Sequence, residues 1–190
     1  MLFKLKIYYL NIAVIICVAA MFFSCKNDSQ EVRDFLAEKN LPIGIAKGAI
    51  HFYKDSGVVT SKLETKLLHD FSNRKEHPYN EFPEGLVITN YENNGKDSVK
   101  ISGNYALSYK KTYLSEIRGN VVVTNYTSKS ILKTEQLFWD QKTNYFFSEK
   151  PFVIETSTDT IKGVGFESKE DLSKWISKRI SGEIITKENE

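Results

Sequence analysis

Five residues, Val87-Ile-Thr-Asn-Tyr91, return as Val122-Val-Thr-Asn-Tyr126, with four of the five identical at an offset of 35. A fainter copy appears at an offset of 38, where Tyr53 meets Tyr91, Leu63 meets Ile101, Leu67 meets Tyr105, His69 meets Leu107 and Phe71 meets Tyr109. Each unit reads strand, turn, strand. A single hairpin cannot bury its apolar face alone, so neighbouring hairpins must stack edge to edge. The repeat therefore predicts an all-β chain of repeated antiparallel hairpins.

Turn chemistry agrees. Asp55-Ser56-Gly57, Asn93-Asn94-Gly95-Lys96 and Asp140-Gln-Lys-Thr-Asn144 separate runs rich in Val, Ile, Thr, Tyr and Phe, and Asn, Asp and Gly tolerate the positive φ of tight hairpin turns. Prolines 42, 78, 83 and 151 fall between the runs, where a missing amide breaks no ladder. Gly163-Val-Gly165 lacks the spacing and the strand–helix setting of a dinucleotide loop and reads as a kink or bulge. Near the end, Ser168-Lys-Glu-Asp171 followed by Leu172, Trp175 and Ile176 reads as a short helical turn, then a last strand to about Ile185. Gln30–Glu38 reads as a short helix.

Period-2 alternation marks the expected interior. Val99, Ile101, Tyr105, Leu107 and Tyr109 share one parity, and Leu63, Leu67 and Phe71 continue it in the first repeat. Phe152 and Ile154 face one way, opposite Val153. Such stripes either fill a sandwich core or line an apolar trough. A row of five or more apolar side chains could hold a lipid tail, since each buried methylene contributes about 0.8 kcal/mol.

The amino terminus addresses the chain to a membrane. Lys4 and Lys6 precede the apolar run Ile7–Phe23, interrupted only by Asn11, and polar residues follow Ser24-Cys25. Basic residues ahead of an apolar stretch are what a secretory signal requires. A small residue directly before cysteine resembles a lipoprotein signal, in which Cys25 is acylated and becomes the new terminus; the alternative is an uncleaved membrane anchor, since about seventeen residues is near the lower limit for a span. The expected division is a signal peptide at 1–24, a lipidated tether at 25–46, a β-domain at 47–186 and a tail at 187–190.

Charge and composition exclude other classes. Lys plus Arg total 26 against 24 acidic residues; without the signal the balance is 24 against 24, which argues against nucleic acid as a partner. His51, His69 and His77 are dispersed and have no cysteine partners, so no metal site is expected. No nucleophile elbow is present. The expectation is a protein that is not an enzyme and needs no cofactor.

The order of several motifs resembles the LptC family of lipopolysaccharide export. They are Phe82-Pro-Glu-Gly-Leu86 before an Asn-Gly hairpin, Gly119-Asn-Val-Val-Val-Thr124, Leu132-Lys-Thr-Glu-Gln-Leu-Phe-Trp-Asp140, Ile161-Lys-Gly-Val-Gly-Phe166 and Ser181-Gly-Glu183. In the third of these, Trp139 is expected to pack inward while Asp140 bonds turn amides. The resemblance implies an open, twisted β-jellyroll, OstA/LptA-like, with a hydrophobic groove between two sheets. It also implies lipopolysaccharide as the bound molecule, an LptB/LptF/LptG-type ABC transporter as donor and an LptA-type periplasmic bridge as acceptor. Contact would be made by strand addition at the sheet edges. The lipid anchor would hold the protein at a membrane, most simply the inner one, facing the periplasm.

Parity then selects the groove. Acyl chains are expected against Phe52, Leu63, Leu67, Phe71, Leu86, Ile88, Ile101, Tyr105, Leu107 and Tyr109, with Val121, Val123, Leu137, Trp139, Phe152 and Ile154 lining the rest. On this reading Leu107→Asp should empty the groove. The docking edges would be Gly48–Tyr53 or Thr160–Phe166 at one end and Ile176–Ile185 at the other. The alternative is a structural or glycan-binding β-sandwich lipoprotein with a sealed core and exposed aromatics at Tyr79, Phe82 and Tyr145.

Overall fold

The computed structural model describes residues 29–92, 96–180 and 185–186. The signal segment, Cys25, the tip of the Asn93-Asn94-Gly95 turn, Ser181-Gly-Glu183 and the tail lie outside the described residues. The chain divides into two units, Met1–Phe35 and Leu36–Glu190. In the first, the described residues begin helix α1 (Ser29–Glu38). The second carries strands β1 (Gly44–Asp55), β2 (Val58–Phe71), β3 (Tyr79–Phe82), β4 (Leu86–Glu92), β5 (Lys96–Gly103) and β6 (Tyr105–Tyr109). They continue as β7 (Leu114–Asn125), β8 (Ser130–Asp140), β9 (Tyr145–Glu155), β10 (Asp159–Lys169), β11 (Trp175–Ile180) and β12 (Ile185–Thr186).

All twelve strands join one antiparallel sheet, but two ladders run through it. Residues 61–64 of β2 pair with β4, β4 with β5, and β5 with residues 122–125 of β7. Residues 69–71 of β2 pair with β3, β3 with β6, and β6 with residues 114–118 of β7. Each long strand thus belongs to a front ladder at one end and a back ladder at the other. The connections are those of a plain meander, bent across its middle.

The bend has a local cause in every arm. Register shifts interrupt β7 between Arg118 and Val121, β8 between Thr134 and Phe138, and β10 between Val164 and Phe166. Positive φ angles fall along the same line, at Gly48, Gly85, Gly119, Asn120 and Gly165. Bulges of this kind let a strand leave one sheet and enter another. Gly163-Val-Gly165 is therefore a bulge, as its composition suggests. Buried threonines hold two of the corners: Thr65 Oγ1 donates to Gly85 O at 2.7 Å and Thr134 Oγ1 to Pro151 O at 2.9 Å. These bonds satisfy carbonyls that the bend takes out of regular pairing.

Folding the sheet over brings two inner faces together as one core. Leu63, Ile88, Ile101, Val123, Leu132 and Ile154 from the front ladder share it with Phe82, Ala106, Ile117, Leu137, Phe146 and Phe166 from the back. Phe152 and Phe166 meet edge to face at 5.2 Å, as do Trp139 and Phe146 at 6.1 Å. Leu137 is fully buried, so Leu137→Ala is expected to cost about 3 kcal/mol. A chemical-denaturation midpoint lowered at unchanged slope would show it.

Two expectations about the chain's course need correction. Residues 168–176 form no helical turn; Ser168 lies within β10, opposite Phe146 and Trp175, and a turn over 170–174 leads into β11. Thr160–Phe166 is no free edge either, because β10 pairs with β9 on one side and with β11 and β12 on the other. Among the described residues the edges are β1, which pairs only with β2, and, on the other side, β11 and β12, each of which pairs only with β10.

Candidate functional site: the mouth between the two ladders

Ten of the predicted groove residues face the space between the ladders: Leu63, Leu86, Ile88, Ile101, Val121, Val123, Leu137, Trp139, Phe152 and Ile154. The other six do not join them. Phe52 pairs with Lys62, one residue out of step with inward-facing Leu63, and is 53% exposed. Leu67 follows the bend in β2, after which Leu68 packs against the core instead.

Phe71 is buried, but on the outer face, stacked on Tyr79 at 4.8 Å with the Arg74 guanidinium 5.1 Å from its ring. Tyr105, Leu107 and Tyr109 also point outward. Their even-numbered neighbour Ala106 pairs with buried Ile117, and Ser108 with Ser115. The physical reason is the corner at Gly103-Asn104. Val99 and Ile101 precede it and face in; after it the inward parity is the opposite one. Strict alternation carried through a bend assigns every later side chain to the wrong face.

The outward residues build a polar and aromatic network of their own. Tyr105 Oη donates to Glu81 Oε1 at 2.8 Å, and Glu81 Oε2 lies 3.1 Å from His69 Nδ1. The Arg118 guanidinium lies 5.6 Å over the Tyr105 ring and bonds Glu116 at 2.7 and 2.5 Å. Burial, aided by the hydrogen bond to Glu81, pushes the Tyr105 hydroxyl up to about 12. Arg118 holds the Glu116 carboxyl below the usual range against the upward pull of burial.

Opposite the bend, the layers part at a mouth, and the β10–β11 turn straps it. Asn90 Nδ2 on β4 donates to Glu170 Oε1, and Trp139 Nε1 on β8 donates to Glu170 Oε2 at 3.2 Å. Asn125 Nδ2 donates to Asp171 O at 2.5 Å, and Leu172 is buried in the core. One carboxylate thereby joins both layers. Burial raises the Asp171 carboxyl, but bonds from Ser173 and the nearby Lys169 charge outweigh it and keep the group below the ordinary carboxylate range.

Deep inside, Ile101, Val121, Val123, Leu137 and Ile154 are closed over by their neighbours. Room exists at the mouth. A cavity of about 220 Å³ is lined by Leu63, Phe82, Leu86, Ile88 and Trp139, with Tyr53, Ser61, Asn80, Ser108, Ser115 and Gln141. Beside the strap a second cavity of about 440 Å³ is framed by Asn90, Ser98 and Val99 on one side and Thr143, Asn144, Tyr145 and Lys169–Asp171 on the other. The first is smaller than the 300 Å³ or so typical of ligand pockets, so a long chain must spread the layers to enter. Sequence reasoning missed Phe82, Tyr53 and the Glu170 strap. Phe82, which the alternative of a glycan-binding sandwich puts at an exposed loop tip, is 3% exposed and belongs to the core.

The expected packing of Trp139 and the chemistry of two turns agree with the geometry. Trp139 packs inward while Asp140 Oδ1 accepts from the amides of Lys142 at 2.9 Å and Thr143 at 3.3 Å. Ser56 and Gly57 both take positive φ in the β1–β2 turn. Among the described residues no group of three or more His, Cys, Asp or Glu is placed to hold a metal ion. Among them, too, no helix is long and apolar enough to cross a membrane.

An antiparallel meander bent into two layers, with its interior opening at a strapped mouth, defines an all-β, jellyroll-like protein. The chain belongs to the LptC family: the family model described as "Lipopolysaccharide-assembly, LptC-related" matches residues 12–175. Membership makes it a component of the lipopolysaccharide transport system, which is periplasmic and associated with the inner membrane. No curated protein matches the chain.

Proposed function

We propose that the protein binds lipopolysaccharide by its acyl chains between the two ladders and relays it from an inner-membrane ABC transporter to a periplasmic bridge of related β-jellyroll subunits. The chains enter at the mouth against Leu63, Leu86, Ile88 and Trp139. They then wedge the layers apart toward Ile101, Val121, Val123, Leu137, Phe152 and Ile154. The observation that carries this reading is the mouth cavity, where Leu63, Phe82, Leu86, Ile88 and Trp139 line one part of an opening that adjoins the apolar core. Methylenes leaving water for that interior gain about 0.8 kcal/mol each, while the covalent bend keeps the layers hinged. Acylated Cys25, freed by removal of residues 1–24, would tether the domain at the membrane.

Both edge strands suit strand addition. Ile45, Ile50 and Phe52 on β1 are 60%, 57% and 53% exposed, and Ile176 on β11 is 71% exposed. Unpaired edges with apolar side chains are templates for a partner strand. One edge would meet the transporter and the other the bridge.

The test is site-specific photocrosslinking in cells with a photoreactive residue at Ile88 or at Leu107. A lipopolysaccharide adduct is expected at Ile88 and none at Leu107, which lies on the outer face. Contrary to the expectation from uninterrupted alternation, Leu107→Asp is now expected to leave the Ile88 adduct at wild-type intensity. An adduct at Leu107 with none at Ile88 would refute the inter-ladder path.

A further inference from the structure

The mouth cavity is not uniformly apolar. Its front wall presents Leu63 and Ile88, but its back wall carries a row of polar side chains in register across three strands. Asn80 on β3 pairs with Ser108 on β6, which pairs with Ser115 on β7. Gln141 Nε2 donates to Ser115 Oγ at 2.9 Å, and Ser115 Oγ donates to Ser108 Oγ at 3.1 Å. In that chain Ser108 Oγ is the acceptor, so its own proton is not used by it. Asn80 Oδ1 is buried with no hydrogen-bond partner. A buried acceptor left unmade carries the full desolvation penalty of the group, so a polar row with one open acceptor is a poor way to fill a core and a suitable way to recognise a polar group on a bound chain.

We propose that the mouth selects acyl chains bearing a hydroxyl near their carbonyl end, such as 3-hydroxyacyl chains, with Asn80 and Ser108 as the groups that bind the hydroxyl. This inference rests on the acyl-binding reading above. A hydroxyl both donates and accepts, so it can give its proton to Asn80 Oδ1 and take the one that Ser108 offers. The alkyl part then lies on Leu63 and Ile88 across the gap. The position of the cavity at the mouth places the hydroxyl close to the head of the lipid, before the chain passes into the fully apolar interior. A plain chain in the same place would leave the Asn80 acceptor covered and unpaired.

The experiment is competition against a photoreactive tetradecanoate bound to the full chain in detergent, using unlabelled tetradecanoate or 3-hydroxytetradecanoate. Each competitor partitions differently into micelles, so the informative quantity is the ratio of their half-effective concentrations compared between wild type and variant. The ratio should favour the hydroxylated chain in wild type by about three- to tenfold relative to Asn80→Leu, the range one buried hydrogen bond supplies. Ser108→Ala, a smaller change with little effect on folding, should reduce the preference in the same direction. Equal ratios in wild type and both variants would overturn the inference while leaving acyl binding in place. No saturable labelling of wild type at all would remove the acyl-binding reading, and this inference with it.

Discussion

Gly85→Ala is expected to lower the stability of the protein by about 3–5 kcal/mol, enough to leave a marginally stable domain largely unfolded. Gly85 takes φ +80, and a Cβ built on it would lie 2.3 Å from Gly103 O, a backbone atom with no side-chain freedom to retreat. A non-glycine residue held at such φ costs about 1–3 kcal/mol, and forcing an atom into a packed backbone site adds about 1–3 kcal/mol more. The position matters because Gly85 and Gly103 are the two places where an arm of the meander crosses from one ladder to the other by breaking into separate strands. The control is Gly44→Ala, where the added Cβ meets nothing within 4 Å and φ is unstrained. It should change the unfolding free energy by less than about 0.5 kcal/mol. If both substitutions are equally tolerated, the corner is not the constraint described.

The second large effect concerns loading. Ser61→Trp is expected to reduce lipopolysaccharide crosslinking at Ile88 by about tenfold or more while leaving the fold intact. Ser61 lines the mouth cavity beside Tyr53 and Leu63 and is only half-buried, so an indole there enters an existing space of about 220 Å³ instead of displacing core side chains. Excluding even two methylenes of a chain forfeits about 1.6 kcal/mol, which corresponds to more than tenfold in affinity. Thermal unfolding of the variant separates plugging from misfolding: an unchanged midpoint with lost crosslinking supports the mouth as the entrance. Undiminished crosslinking in a folded variant would move the entrance elsewhere.

The two experiments probe opposite sides of one hinge. The corner line must stay narrow for the arms to turn, and the proposed path requires the mouth to open enough for a chain to insert its first methylenes. Glu170 sits where opening would be resisted, bonded to Asn90 on the front ladder and Trp139 on the back. Spreading the layers to admit a chain therefore requires at least one of those bonds to break.

Local chemistry by itself determined that this chain makes antiparallel hairpins. Ser56-Gly57 needs positive φ, Asp140 caps the amides that follow it, and the Val/Ile/Thr/Tyr runs supply strands of alternating polarity; none of this depends on distant residues. The same local evidence marked Gly163-Val-Gly165 as a bulge and Trp139 as an inward anchor. The motif order from Phe82 to Phe166 was also sufficient to point to the LptC family.

Which face of each strand lies inside was decided only by tertiary structure. Alternation has a period of two and no memory of a bend: Val99 and Ile101 face in, but the crossover at Gly103-Asn104 reverses the parity, so Ala106 and Ser108 face in while Tyr105, Leu107 and Tyr109 face out. The small and polar residues Ala106, Ser108 and Asn80 look like surface positions when read along the chain. They are interior because a folded sheet lays a second layer over them, and only that layer makes them a wall of the mouth.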